Sequence, residues 1–308
     1  MIPTYNQAGF IHCAITSALA QNYANLEIIV GDDASTDETN EIASAIFDDR
    51  LIYIRNSANL GRVGNYHNLL YNHATGVYVV NLDGDDYFTD VNFINDAVTL
   101  VGENKAVVMV TARANWTIEG TNFISSIPTQ KQLTGLEIVK KLPRKEYFFK
   151  HMASLYRRDD AIKIGFYGSQ AISSDWESLY RLALRGEVKY LDRNVGVWRI
   201  HGANESLNLA GSRLFTNLSI WPSVYEDAAL QGMNPLHAKY RNAKCIAWFA
   251  SSFATNLSKD GNSGLFHFVI AVIKKYPAAS ILMAITPKYI ARILLSFLGY
   301  YRSGSLRI

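Results

Sequence analysis

The sequence predicts an α/β protein: a mostly parallel sheet covered by helices, followed by a helical C-terminal extension. Three observations lead there. Apolar runs and helical patterns alternate roughly every 25 residues over the first third of the chain, the rhythm of βαβ units. The runs, such as "LEIIV" and "VYVV", are apolar at successive positions, as strands are when both faces are covered. From Asn204 to Asn262, by contrast, helical patterns dominate, including "AKYRNAKCIAWFASSFATNL".

Near the start, "PTYN" leads into "GFIHCAITSALAQ", where Phe10, Ile11, Ile15, Ala18 and Leu19 recur at helical spacing. "LEIIV" is a short buried strand. "STDETNEIASAIF" follows as a helix with Ser35 and Glu38 at capping-box spacing, and "RLIYIRN" is the next strand. "NLGRVGNYHNLLYNHATG" is a Gly-containing loop running into a helix that ends near Gly76, and "VYVVNL" is the strand before "DGDD". Beyond Asp90 come a helix, "VNFINDAVTLV", and a strand, "KAVVMVTARANW"; the polar "IEGTNFISSIPTQKQLTG" reads as loop. The segments "GLEIVKKL", "FFKHMASLYRR", "SDWESLYRLALRG" and "VKYLDRNVGVWRIHG" then form an α+β mixture.

At 308 residues, 49% hydrophobic and 19% charged, the chain lies in the globular range and can bury a substantial core. Cys13 and Cys245 offer neither a disulfide framework nor a CxxC metal site, which favours a reducing compartment. The first ten residues lack a basic segment followed by an apolar core, so no signal peptide is expected there and a cytoplasmic location is. Net charge is +3, and residues 263–308 carry six Lys/Arg with no Asp or Glu, so the rest of the chain is on balance acidic.

The segment "NLDGDDYF" places Asp83, Asp85 and Asp86 within four positions, directly after an apolar strand. Unpaired burial of such a cluster is costly, so it needs water, donors or a cation. Two readings stand side by side. In one, the Asp-x-Asp oxygens hold Mg²⁺ or Mn²⁺ with positions left for phosphates; in the other, Asp85 or Asp86 caps the next helix. "VGDDAST" carries the same choice between capping and contact with a nucleotide. Ligands of parallel α/β sheets bind outside the carboxyl ends of the strands, where both acid-rich turns fall.

In this order and spacing, "PTYN", "DDASTDET", "NLGRVGNYHNLL" and "LDGDDYF" resemble the nucleotide-sugar-binding half of family 2 glycosyltransferases, inverting enzymes of the Rossmann-like GT-A fold. The resemblance is strong over residues 1 to 90 and looser to 205. It implies that Pro3, Thr4, Tyr5 and Asn6 floor the nucleotide pocket and that Asp33 hydrogen-bonds the base, commonly uracil. It further implies that Arg62 approaches the nucleotide or its diphosphate, that Asp83 contacts ribose or metal, and that Asp85 is the principal metal ligand. Asp175, before Trp176 at a helix start, matches the catalytic base; Ser174 stands where the family often has a further acid, and a helix N-cap is the local alternative. "VWRIHG" is similar to the family's aromatic-Arg-x-His turn, which makes His201 a ligand of metal or diphosphate. Only Met1 and Ile2 precede Pro3, where the family has several β-branched residues, so a short first strand is expected.

The resemblance thus implies transfer of a sugar, with inversion, from a nucleotide-diphosphate sugar, commonly a UDP-sugar. The acceptor would be a hydroxyl of a saccharide or lipid-linked saccharide in cell-surface polysaccharide synthesis. The expected organisation is a catalytic domain over 1–205 (nucleotide-sugar side 1–100, acceptor side 101–205), a helical segment over 206–262 and a basic amphipathic tail over 263–308. In that tail Lys274, Lys275, Lys288 and Arg292 interrupt every apolar run before it reaches spanning length. Its helices either lie on an anionic inner-leaflet surface or pack on the domain. A sugar-phosphate nucleotidyltransferase is the competing enzyme class, but it calls for a Gly-rich, Arg-containing loop after the first strand; a non-catalytic nucleotide-sugar-binding module is the other alternative. P-loop and GxGxxG motifs are absent, and the basic excess in an apolar tail gives no support to nucleic-acid binding.

Overall fold

A computed structural model describes residues 1–118, 121–202, 204, 211–257 and 262–297. The expected boundary at 205/206, residues 258–261 and the last part of the tail, 298–308, lie outside the described residues. Two compact units are present: the first comprises Met1–Val139, Arg144–Gln170 and Ser174–His201, and the second holds Lys140–Pro143, Ala171–Ser173 and the chain from Gly202 onward.

The first unit opens with three parallel strands, β1 (Ile2–Thr4), β2 (Ile28–Asp32) and β3 (Leu51–Arg55), in spatial order β1-β2-β3. Helices α1 (Ile11–Leu19) and α2 (Thr39–Ser44) connect them, and α3 (Arg62–Asn68) follows. Register pairs Thr4 with Asp32 and Asp32 with Arg55, so the carboxyl ends of the strands are level. The expected capping box is not formed. Glu38 is the N-cap residue of α2 without a side-chain cap bond, and the Ser35 hydroxyl accepts the Asn6 N–H instead.

A second sheet is mixed. It contains β4 (Tyr78–Val80), β5 (Tyr87–Phe88), β6 (Val107–Ile118), β7 (Thr121–Ile124), β8 (Gln132–Thr134), β9 (Ser154–Arg157) and β10 (Glu187–Ile200), with main order β4-β9-β6-β10-β5. Among the described residues of this sheet only β6 and β10 pair in parallel; β7 adds to β6 and β8 to β10, both antiparallel. Two short strands thus form in the polar stretch expected to be loop, because the long edges of β6 and β10 offer backbone groups that need partners. The sheets are joined at β1: the N–H groups of Leu82 and Gly84 donate to the carbonyls of Met1 and Pro3 at 2.9 and 3.1 Å. The three-residue β1 is therefore bonded along both edges.

Helices α4 (Phe93–Val101), α5 (Gly135–Val139), α6 (Arg158–Lys163) and α7 (Ser174–Ala183) complete the unit. One apolar core runs through it, with Ile15 of α1, Val30 of β2, Phe93 of α4 and Val110 of β6 buried together. Burying such side chains contributes about 1.5–3 kcal/mol each relative to exposure.

The second unit is helical: α8 (Gly211–Asn217), α9 (Ile220–Leu230), α10 (Pro235–Leu257), α11 (Asn262–Lys275), α12 (Pro277–Ile285) and α13 (Pro287–Phe297). Helix α10 packs against α9, α11, α12 and α13. Arg292 shows how α13 is held, its guanidinium donating to the Ser252 hydroxyl at 3.0 Å and lying over the Trp248 ring. Among the described residues no single helix is long and apolar enough to cross a membrane; the pair 264–275 and 277–285, bent by 117°, passes on length and composition together.

Candidate active site

Every acid of interest in the first half of the chain sits where a strand ends. Thr4 is buried at the end of β1 and its hydroxyl donates to Gln7 Oε1 at 2.8 Å; Pro3 is buried, Tyr5 is 45% exposed and Asn6 is exposed. Asn6 takes φ 52°, a left-handed conformation an asparagine tolerates, and its side-chain oxygen accepts the Thr36 N–H at 2.8 Å. Asp33 is tied to β1 by its N–H on the Thr4 carbonyl, 2.9 Å. One oxygen, Oδ1, accepts from Asn56 Nδ2 and from the Leu60 N–H, both at 2.8 Å. Ala34, next in the chain, also has positive φ, 61°. The Ala34 backbone is thus strained directly after the expected base-binding carboxylate, and Asn6 meets the same turn at Ser35 and Thr36.

The "DGDD" turn crosses "PTYN" closely. A Cβ at Gly84 would stand 2.8 Å from Thr4 Oγ1 and 2.9 Å from its Cβ, so only glycine allows this approach. Neither Asp85 nor Asp86 caps a helix, because α4 starts at Phe93 with Asn92 before it. Asp85 is buried and its Oδ2 lies 3.1 Å from His201 Nε2. Burial, and after it the charge of Asp83, raise the Asp85 carboxyl above its ordinary value. Asp86 is pushed well above by burial and then by Asp85 and Asp83, and its Oδ1 accepts the Arg199 N–H at 2.9 Å. Burial and mutual repulsion thus both work against charge on Asp85 and Asp86.

His201 is brought here by β10, which pairs antiparallel with β5 through Gly196–Phe88 and Val197–Tyr87. Its ring stacks on Phe10, centroids 4.4 Å apart. Arg199 lies over the Phe10 and Tyr87 rings, 4.9 Å from each, and donates to the Asp85 carbonyl. Arg62 opens α3 and lies 5.4 Å over the Tyr66 ring; the Tyr66 hydroxyl in turn donates to Asp83 Oδ1 at 2.7 Å. Asp175 falls in the first turn of α7 and not in front of it. Its charge bears on His151, Lys150, Tyr66 and Tyr167, which places it in the same electrostatic neighbourhood as Asp83. Lys150 is lowered to about 8, by burial first and then by Lys145, with Asp175 opposing the shift.

Pro3, Thr4, Asp33, Asp83 and Asp85 are thus linked around the end of β1, His201 reaches Asp85, and Arg62 reaches Asp83 through Tyr66. Phe10, Tyr66, Asn81, His151 and Arg199 belong to this site without having been singled out from the sequence. The polar Asn81 closing an apolar strand two positions before Asp83 was the available signal. Among the described residues no three His, Cys, Asp or Glu side chains form a metal-binding group by themselves.

Comparison with known proteins fits this arrangement. The profile of glycosyl transferase family 2 matches residues 1–165, more than half of the chain. The chain belongs to that family. One family relative is UDP-Glc:alpha-D-GlcNAc-diphosphoundecaprenol beta-1,3-glucosyltransferase WfaP of Escherichia coli, 40% identical over 95 residues, 31% of this chain and 38% of WfaP. Another is GalNAc(5)-diNAcBac-PP-undecaprenol beta-1,3-glucosyltransferase of Campylobacter jejuni, 26% identical over 224 residues, 69% of this chain and 67% of that enzyme. The match to WfaP therefore spans well under half of its length. Among solved structures, S. aureus TarS 1-349 in complex with UDP-GlcNAc superposes with a TM-score of 0.69 at 17% identity, covering 96% of this chain and 88% of that one. This likeness establishes the GT-A-type fold.

The Gly84 contact sets a measurable expectation. Gly84→Ala is expected to lower unfolding stability by about 1–3 kcal/mol, read from urea denaturation, as overpacking of a close contact does.

Proposed function

We propose that this family 2 protein is an inverting glycosyltransferase that moves a sugar from a UDP-sugar to a hydroxyl of a lipid-linked saccharide in cell-surface polysaccharide synthesis. The observation that carries the reading is the meeting, around the end of β1, of Asp33, Asp83 and Asp85 from separate strand ends, with His201 3.1 Å from Asp85 and Asp175 within electrostatic reach of Tyr66 beside Asp83. The names of WfaP and its Campylobacter counterpart, both glucosyltransferases acting on undecaprenyl-diphosphate-linked sugars, and the UDP-GlcNAc bound by TarS support the substrate classes.

In this reading Pro3, Thr4, Tyr5 and Asn6 floor the nucleotide pocket, and Asp33 binds the base with the oxygen its Asn56 and Leu60 bonds leave over. Arg62 approaches the diphosphate. Asp175 accepts the proton of the acceptor hydroxyl as that oxygen attacks the anomeric carbon; the bond from this carbon to the diphosphate oxygen breaks, and the configuration inverts. The protein contributes positioning and charges fixed in advance.

The residues present fit a hard divalent cation, Mn²⁺ or Mg²⁺: two buried or half-buried carboxylates whose repulsion a cation relieves, and an imidazole beside one of them. Asp85, His201 and Asp83 would hold it together with the donor's diphosphate. Such an ion supplies positive charge against the departing nucleoside diphosphate.

The tail is read as a membrane-surface element for a lipid-linked acceptor, on the cytoplasmic face. Phe266, Ile273, Ile281, Ile285 and Leu294 are each about half exposed or more, and Lys274, Lys275 and Lys288 are exposed among them. This combination suits an anionic lipid surface.

Three measurements test these assignments. Asp175→Asn is expected to reduce nucleotide release and sugar transfer by about 10²–10⁴-fold while UDP binding by calorimetry is retained; wild-type transfer would remove Asp175 from the mechanism. Mn²⁺ with UDP is expected to raise the melting temperature of the wild-type chain more than UDP alone, an increment absent in Asp85→Asn. The full chain is expected to sediment with phosphatidylglycerol vesicles at low salt, and the charge reversal Lys274→Glu, Lys275→Glu, Lys288→Glu to release it, at about 1 kcal/mol per lysine; equal partition of both proteins would refute the surface contact.

A further inference from the structure

Behind Asp83 runs a chain of polar side chains that the reaction itself does not use. Asp83 Oδ1 accepts the Tyr66 hydroxyl at 2.7 Å and an Asn81 Nδ2 hydrogen at 2.9 Å. The same amide nitrogen lies 3.3 Å from His151 Nδ1. On its other side, His151 Nε2 lies 2.7 Å from the Tyr167 hydroxyl, which is 3.3 Å from that of Tyr156. The Tyr66 ring packs edge-on to the His151 ring, centroids 5.5 Å apart.

The chemistry of the atoms fixes the direction of this chain. An ionised carboxylate only accepts, so Asn81 must turn its NH₂ toward Asp83. Its second hydrogen then meets His151 Nδ1, which must be the bare ring nitrogen, while Nε2 carries the hydrogen and donates to Tyr167. Burial holds the imidazole below its ordinary value, against the opposing charges of Asp175 and Asp83, in the direction that this bonding pattern requires. Asn81 is 1% exposed and its Oδ1 has no hydrogen-bond partner. An orphaned buried acceptor costs about 1–3 kcal/mol, yet rotating the amide by half a turn would set that oxygen against the carboxylate. Tyr167 is itself fixed: its backbone has φ 60°, and its N–H donates to Ser178 of α7 at 2.9 Å.

We propose that His151 is a positioning residue: with Nδ1 as acceptor it orients Asn81, and Asn81 together with Tyr66 holds Oδ1 of Asp83, leaving Oδ2 for the role proposed above. The inference rests on that role of Asp83, holding a divalent cation together with the donor's diphosphate. It also links the Asp83 side of the site to Tyr167, and through Ser178 to the helix that bears Asp175.

The test separates the two ring nitrogens. His151→Asn puts an amide oxygen near the place of Nδ1 and keeps an acceptor for Asn81, whereas His151→Gln places its amide nearer Nε2 and serves Tyr167 alone. With a UDP-sugar that the wild-type chain turns over, kcat/KM for the donor is expected to stay within about threefold in His151→Asn and to fall roughly 10–100-fold in His151→Gln and His151→Phe. The two amide variants should melt alike. Long-range ¹H–¹⁵N spectra of the wild-type chain without ligand should show His151 as the Nε2–H tautomer, with ring resonances that shift in Asp83→Asn. Equal losses in the Asn and Gln variants, losses that follow melting temperature, or an Nδ1–H ring overturn the proposal. Should the wild-type chain turn over no nucleotide sugar, the proposed reaction fails, and the tautomer with its response to Asp83→Asn still decides the positioning chain.

Discussion

The site depends on one three-residue strand being bonded along both of its edges. β1 pairs with β2 through Ile2, Pro3 and Thr4 on one side, and on the other receives the N–H groups of Leu82 and Gly84. This double pairing brings two turns far apart in sequence, the one after β2 and the one after β4, to the same strand end. Ile2, Pro3, Thr4, Leu82 and Gly84 are buried at this junction, so a backbone bond left unmade there would be costly. A short strand suffices here because its neighbours supply the order that its length does not.

Charge is the second organising factor. Asp85 and Asp86 lie beside Asp83 with little solvent to screen them, and burial already works against their ionised forms. The protein meets this with directed donors, the Arg199 N–H on Asp86 and Tyr66 and Asn81 on Asp83, and it sets the His201 ring beside Asp85. Phe10 supports that arrangement by stacking under both His201 and Arg199, so an apolar helix start also acts as the floor of a polar site.

Much of the framework was legible in the sequence. The β1-α1-β2-α2-β3 order follows from apolar runs separated by helical spacing, and α4, β6 and α7 stand where "VNFINDAVTLV", "KAVVMVTARANW" and "SDWESLYRLALRG" place them. Strands β7 and β8 were not legible, because a few polar-flanked residues become strands only when the edges of β6 and β10 are there to bind. The acids and His201 stand in short motifs whose order carries meaning. His151 and Tyr66 are different: His151 lies in an aromatic and apolar stretch and Tyr66 inside a motif that does not mark it, and their importance comes from meeting Asn81 and Asp83 further along the chain or behind it. Ser35 and Glu38 show the converse, a local capping pattern overridden because Asn6, from another segment, competes for the serine hydroxyl.

Tyr66 is completely enclosed, and both its enclosure and the neighbouring Asp83 hold its phenol far above the ordinary tyrosine range. Its hydroxyl consequently keeps its proton and stays a donor to Asp83. The carboxylate oxygen it serves is thereby held by a group that a rise in pH leaves protonated well beyond the point at which an exposed tyrosine would ionise.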